Sequence, residues 1–129
     1  MKKLLLPLLT LSLFIACQKE DDDNSEIELD LIVLALEAPD TVYVNEEFTT
    51  LVTYGLSDCS YFSRFKKITN EDSTILQVFR KRPAKATCPT VIKESSSTFN
   101  YKLSEAGTHY FICNQGENGE IQKAIYVLE

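Results

Sequence analysis

From Ile27 to the C-terminus, apolar and polar residues alternate in short runs broken by turn-forming clusters. A period of two places alternate side chains on opposite faces of a strand. Ile27, Leu29, Leu31, Val33 and Ala35 begin this pattern. Their neighbours change from Glu28 and Asp30 to Ile32, Leu34 and Leu36, so the later positions are expected to be buried on both faces. Ala38-Pro39-Asp40 interrupts the run, because proline has no N–H for a ladder. Further strands are predicted over Thr41–Val44, Phe48–Tyr54, Tyr61–Thr69, Thr74–Lys81, Phe99–Leu103, His109–Asn114 and Ile121–Leu128. Tyr61–Thr69 and Thr74–Lys81 are expected to form a hairpin around residues 70–73, and residues 82–96 read as a long connection. Before residue 27 the pattern is different. Lys2 and Lys3 precede an apolar stretch from Leu4 to Ala16. That stretch is shorter than the roughly 20 residues a spanning helix needs, and it has the length of a signal-peptide core.

No segment carries an apolar stripe at helical spacing. Seven to eight short strands within about 100 residues predict an all-β chain, an antiparallel β-sandwich of the immunoglobulin type. The domains are then a signal peptide at 1–16, an anchor and acidic tether at 17–26, and the sandwich at 27–129. Thirteen Phe and Tyr residues supply aromatic mass and Trp is absent. Most of them fall in the predicted strands and read as core.

The leader ends Phe14-Ile15-Ala16-Cys17. This resembles the lipobox of bacterial lipoproteins, with Phe14 where Leu is commoner. The resemblance covers residues 1–17 and implies that Cys17 becomes the lipidated first residue of the mature chain. Two or more acyl chains anchor a protein stably, at about 0.8 kcal/mol per buried methylene. Residues 18–30 then hold seven carboxylates against one lysine. Such a block repels itself and buries little, so its first part is expected to be an extended tether. Gln18, Lys19, Glu20, Asp21 and Asp22 resemble the lipoprotein export signal of Bacteroidota, which implies the outer membrane and exposure at the cell surface. The stretch APDTVYVNEEF, Cys59, Cys88 and AGTHYF is similar to small Bacteroidota lipoproteins with one immunoglobulin-like domain. It spans most of 35–128 and implies no particular activity.

Net charge is −6, but the acidic block accounts for most of it. From Leu31 onward ten basic residues face twelve acidic ones, which gives no basic field for nucleic acid. His109 is the only histidine. Paired-histidine zinc motifs are therefore impossible, and neither a G-x-S-x-G elbow nor a glycine-rich phosphate loop occurs.

Three cysteines follow the anchor, in a compartment that permits disulfides. Cys59 and Cys88 flank the same predicted hairpin, whereas Cys113 lies within a strand beside His109 and Phe111. The expected bridge is Cys59–Cys88 with Cys113 buried and free; pairing of Cys113 with Cys59 or Cys88 is the alternative. GTHYFICNQGENGEIQKAIYV resembles the end of cupredoxins and phytocyanins, where a strand bearing the copper thiolate leads into a ligand loop. A blue-copper site needs two histidines, a cysteine and usually an axial methionine. No histidine follows Cys113 and no methionine is available, so no metal and no cofactor is expected.

Seven basic residues crowd the hairpin and its exit: Arg64, Lys66, Lys67, Arg80, Lys81, Arg82 and Lys85. They form a candidate patch for an acidic glycan or an envelope protein. The competing reading is protection of strand edges by charge. Asp40-Thr41-Val42 and Asp72-Ser73-Thr74 match a short Bacteroidota O-glycosylation pattern, at Thr41 and Ser73. The expected function is that of a lipid-anchored, non-catalytic binding or accessory module. A small surface-anchored hydrolase is the alternative.

Overall fold

The structure, a computed structural model, describes residues 25–85, 87–88 and 91–129. Cys17 and the acidic segment at 18–22 lie outside the described residues. Among those described, nine strands form: β1 (Glu26–Leu31), β2 (Val33–Glu37), β3 (Thr41–Tyr43), β4 (Glu47–Ser57), β5 (Tyr61–Thr69), β6 (Ser73–Pro83), β7 (Ile92–Lys102), β8 (Gly107–Asn114) and β9 (Glu120–Leu128). They build two sheets, one of β1, β3, β5, β6, β8 and β9, the other of β2, β4 and β7. The chain is an all-β sandwich, as the alternation predicts.

β6 is the spine of the larger sheet. One edge pairs with β5 along its length. The other edge is shared: Ser73–Leu76 runs parallel to β8, and Val78–Pro83 runs antiparallel to β1. β3 also pairs in parallel, with β9. Five of the seven pairings among the described residues are antiparallel, and these two are not. The parallel β6–β8 pair follows from the route of the chain. After β6 the chain crosses to the smaller sheet as β7 and returns as β8, so two reversals restore its direction.

The ninth strand arises where the first apolar run divides at Ile32. β1 pairs with β6 in one sheet and β2 pairs with β4 in the other. The run therefore changes layers instead of lying buried on both faces. Ile32 and Leu34 are 50% and 43% exposed. The long connection also contracts, because β6 reaches Pro83 and β7 begins at Ile92. The lower half of β4, from Leu51 to Ser57, takes Ile92–Thr98 as its partner. The serines of that stretch hid the strand from a hydrophobic reading. Their hydroxyls meet Thr53 and Tyr54, with Ser96 Oγ 3.0 Å from Thr53 Oγ1.

Phe48, Thr50, Val52 and Tyr54 on β4 face Thr74, Leu76 and Val78 on β6 and His109, Phe111 and Cys113 on β8, all of them buried. Two clusters of buried side chains result, one around Val52 and Leu76 and the other around Phe48 and Phe111. Leu36 and Phe99 pack against both. Phe99 sits 5.1 Å from Phe65 and 6.2 Å from Phe111, ring centre to ring centre. These spacings are those of favourable tilted and edge-to-face ring pairs.

Candidate functional site

The hairpin's basic residues do not form one patch. Strand alternation, shifted once by a bulge between Phe62 and Arg64, divides them between the two faces of the sheet. Arg64, Lys66 and Lys81 lie on the outer face. Arg64 donates to both Glu28 carboxylate oxygens at 3.0 and 3.1 Å and lies 4.4 Å over the Phe79 ring. The Arg64 hydrogen bonds hold the Glu28 carboxyl below its usual range. The pair is exposed to solvent, where screening leaves an ion pair little net contribution to stability. Lys67 belongs to the inner face, with Nζ 5.2 Å and 5.0 Å from the centres of the Phe99 and Tyr101 rings. Lys85 lies beyond the strand and is exposed.

Arg80 and Arg82 also belong to the inner face, two residues apart on β6 and in line with Leu76 and Val78. Arg80 Nη1 reaches the Ser57 and Ser60 hydroxyls only at 3.4 and 3.5 Å. Arg82 Nη1 donates to Cys88 Sγ at 3.5 Å. Among the described residues, the Nε of each arginine is buried without a hydrogen-bond partner. Among the described residues, neither guanidinium forms an ion pair with a carboxylate. Buried charges are ordinarily paired, so a half-buried cation without a counter-ion marks a place where an anion would be stabilised.

Arg80 opens into a cleft where the chain crosses between the sheets. The cavity is about 550 Å³, with Ile32, Leu34 and Ile92 among its apolar lining and Ser57 beside Arg80. Asp30 and Glu117 also line it, and both are exposed. The volume falls within the about 300–1,000 Å³ of ordinary ligand clefts. Two glycines shape the walls. A Cβ on Gly55 would come within 2.5 Å of Ile92 Cγ2, so Ile92 can lie down only against a bare backbone. Gly116 has φ +67° and sits against Ile32, where a Cβ would meet Cδ1 at 3.0 Å. The disulfide braces the region. Cys59 and Cys88 are joined with their Cα atoms 5.5 Å apart, which resolves the three pairings open to the sequence.

A second groove, of about 440 Å³, lies between the β5–β6 turn and the β7–β8 connection. Glu71, Asp72 and Glu105 line it, with His109 and Tyr101 among its other residues. His109 Nε2 is 2.8 Å from Thr74 Oγ1, and the Tyr101 hydroxyl is 3.1 Å from the same atom. Thr74 has no exposed surface, so its hydroxyl cannot reach a substrate carbonyl. Burial holds the imidazole of His109 below its ordinary value, with the Asp72 charge opposing.

Cys113 is free and fully buried, and burial pushes its thiol up to about 12. It shares a face with His109 and Phe111, as expected. Four residues of strand separate Cys113 from His109 by about 13 Å, too far for one ion to join them. Among the described residues no three His, Cys, Asp or Glu side chains converge on a point. Thr41 is exposed and follows Asp40, which is ion-paired with Lys123. Ser73 is half-buried at the start of β6.

No protein-family model, no curated protein and no solved structure matches the chain. The cleft was not legible in advance, because Ile32, Leu34 and Ile92 looked like core or loop. The usable signal was the break in alternation: an apolar residue on the polar phase of a strand must either be covered or form a lip.

Proposed function

We propose that this protein is a lipid-anchored envelope module, displayed at the outer membrane surface, that binds a small anionic ligand without catalysis. The observation that carries the reading is Arg80, a half-buried cation with no carboxylate partner among the described residues, at the cleft between the sheets. The leader and Cys17 supply the anchor, and the acidic stretch after Cys17 supplies the export signal and tether. β1 begins beside Pro83, so the tether joins the fold at the same end as the disulfide. The basic side chains of the hairpin occupy two faces, which leaves an extended acidic glycan without a continuous platform. A hydrolytic reading draws no support from the Thr74–His109 contact, since Thr74 is enclosed by the core.

The test has two arms. Intact-mass analysis of the native protein is expected to find an acylated N-terminal Cys17. Alanine at Glu20, Asp21, Asp22 and Asp23 is expected to protect the protein from protease added to intact cells. An unacylated N-terminus, or unchanged protease sensitivity in the alanine variant, overturns the respective part.

A further inference from the structure

The lining of the crossover cleft narrows the class of ligand. We infer that the cleft takes a small apolar monocarboxylate, its carboxylate on Arg80 and its hydrocarbon against Ile32, Leu34 and Ile92. This rests on the cleft being the binding site, and it adds the chemistry of the occupant.

Four observations converge. First, among the described residues Arg80 has an unpartnered buried Nε and only long contacts from Nη1 to two hydroxyls, so its charge is weakly compensated. A planar guanidinium presents donors in a fork that matches a carboxylate. Second, the residues around that cation are apolar and open to solvent: Ile32, Leu34 and Ile92 are 50%, 43% and 68% exposed. Three large aliphatic side chains exposed around one cavity mark a surface that something apolar covers. Third, the polar wall beside Arg80 is Ser57, whose Oγ lies 2.9 Å from Ser60 Oγ and accepts from Arg80 Nη1, so neutral hydroxyls and not a carboxylate hold the guanidinium at the cleft. Fourth, Asp30 and Glu117 lie in the same lining. Two carboxylates there repel a doubly charged phosphate more strongly than a singly charged acid. A neutral hydrocarbon would fill the apolar part and leave Arg80 uncompensated. A cationic amphiphile would place like charge against it. One negative charge on an apolar body satisfies the cation and the aliphatic wall, and it meets less repulsion from the two carboxylates than a doubly charged anion does.

Such a carboxylate has two sources, a free alkyl acid or the C-terminus of a peptide ending in an apolar residue. Octanoate represents the first and N-acetyl-leucine the second. The experiment is calorimetric titration of the full protein in nanodiscs with each of these, and with 1-octanol, octylammonium and inorganic phosphate. Arg80→Gln, Arg80→Lys and Ile92→Ser variants are titrated alongside.

One of the two carboxylates is expected to bind at least about tenfold more tightly than 1-octanol, as a charge-assisted contact to a guanidinium requires. The tighter of the two names the source. Arg80→Gln is expected to lose about tenfold or more of that affinity and Arg80→Lys to recover part of it. Ile92 is mostly exposed, so Ile92→Ser leaves folding intact and weakens the carboxylate and the alcohol alike.

Equal binding of octanol and octanoate overturns the carboxylate assignment and leaves the cleft in place. Arg80-dependent binding of phosphate without either carboxylate overturns the apolar assignment. Failure of every probe to show dependence on Arg80 or Ile92 overturns the cleft itself. If Arg80→Gln does not fold, the comparison of octanoate with octanol on the native protein and the Ile92→Ser variant still decides.

Discussion

Thr50 gives a test in which a core substitution is expected to stabilise. It lies on the inner face of β4 between Phe48 and Val52, opposite Phe99 on β7, with no exposed surface. Among the described residues its Oγ1 has no hydrogen-bond partner. A buried hydroxyl left unpaired costs about 1–3 kcal/mol. Thr50→Val exchanges that oxygen for a methyl group of similar size and leaves the β-branched stem in place. Overpacking opposes the gain at about 1–3 kcal/mol when extra atoms enter a filled core. Here the oxygen already occupies the space, so the desolvation effect wins. The expected net gain is about 1 kcal/mol. In a domain of this size that raises Tm by about 4–8 °C. The control is Thr50→Ser, which keeps the orphan hydroxyl and removes a methyl; it is expected to lose about 1 kcal/mol. Urea unfolding with unchanged m-values separates the two variants by their midpoints. If both midpoints fall, the hydroxyl has a partner and the account of this core position fails.

Removing the bridge with Cys59→Ala and Cys88→Ala is expected to cost about 3.6 kcal/mol, the chain-entropy value for 29 residues of separation, read from urea midpoints. Cys113, buried and with its thiol pushed up to about 12, is expected to resist iodoacetamide at pH 8 in the native protein and to react promptly in urea. His109 is held below its ordinary 6.5 by burial, so the unfolded chain binds more protons in the window between the folded value and 6.5. Stability is therefore full above about 6.5 and falls as pH drops toward the folded midpoint. An imidazole NMR titration at or above 6.5 refutes this, and His109→Gln is expected to flatten that part of the pH–stability profile.

The period-two alternation made the sandwich legible because the inner positions of β4, β6, β8 and β9 carry large apolar side chains. Cys59–Cys88 was legible because both residues flank one hairpin. The serine stretch of β7 was not, since Ser95, Ser96 and Ser97 carry no hydrophobic signal. Their place in a strand is set by β4, which needs a partner along its whole length. The two parallel pairings were equally hidden, because direction depends on how often the chain crosses between sheets. The basic cluster was seen as a group, but a group in sequence is not a group on a surface. One bulge and one alternation send Arg64 to solvent and Arg80 toward the core.

The division of the first apolar run at Ile32 accounts for the cleft as well as for the topology. β8 stops level with Leu76, so β6 has a bare edge from Val78 downward. β1 covers that edge, and Leu31 is its last residue. To reach β4 the chain must then leave the sheet at Ile32, whose side chain can join neither layer. The short turn through Gly116 lies against it. The lower half of β6 therefore keeps its inner face, Arg80 and Arg82 included, in a place where the two sheets no longer close over it. Apolar residues there would extend the core, and arginines do not. A sequence selected only for packing would carry Leu or Val at 80, continuing Leu76 and Val78. Arg80→Leu should then raise the urea midpoint while abolishing ligand capture. A fall in the midpoint would show instead that the guanidinium is part of what holds the fold together.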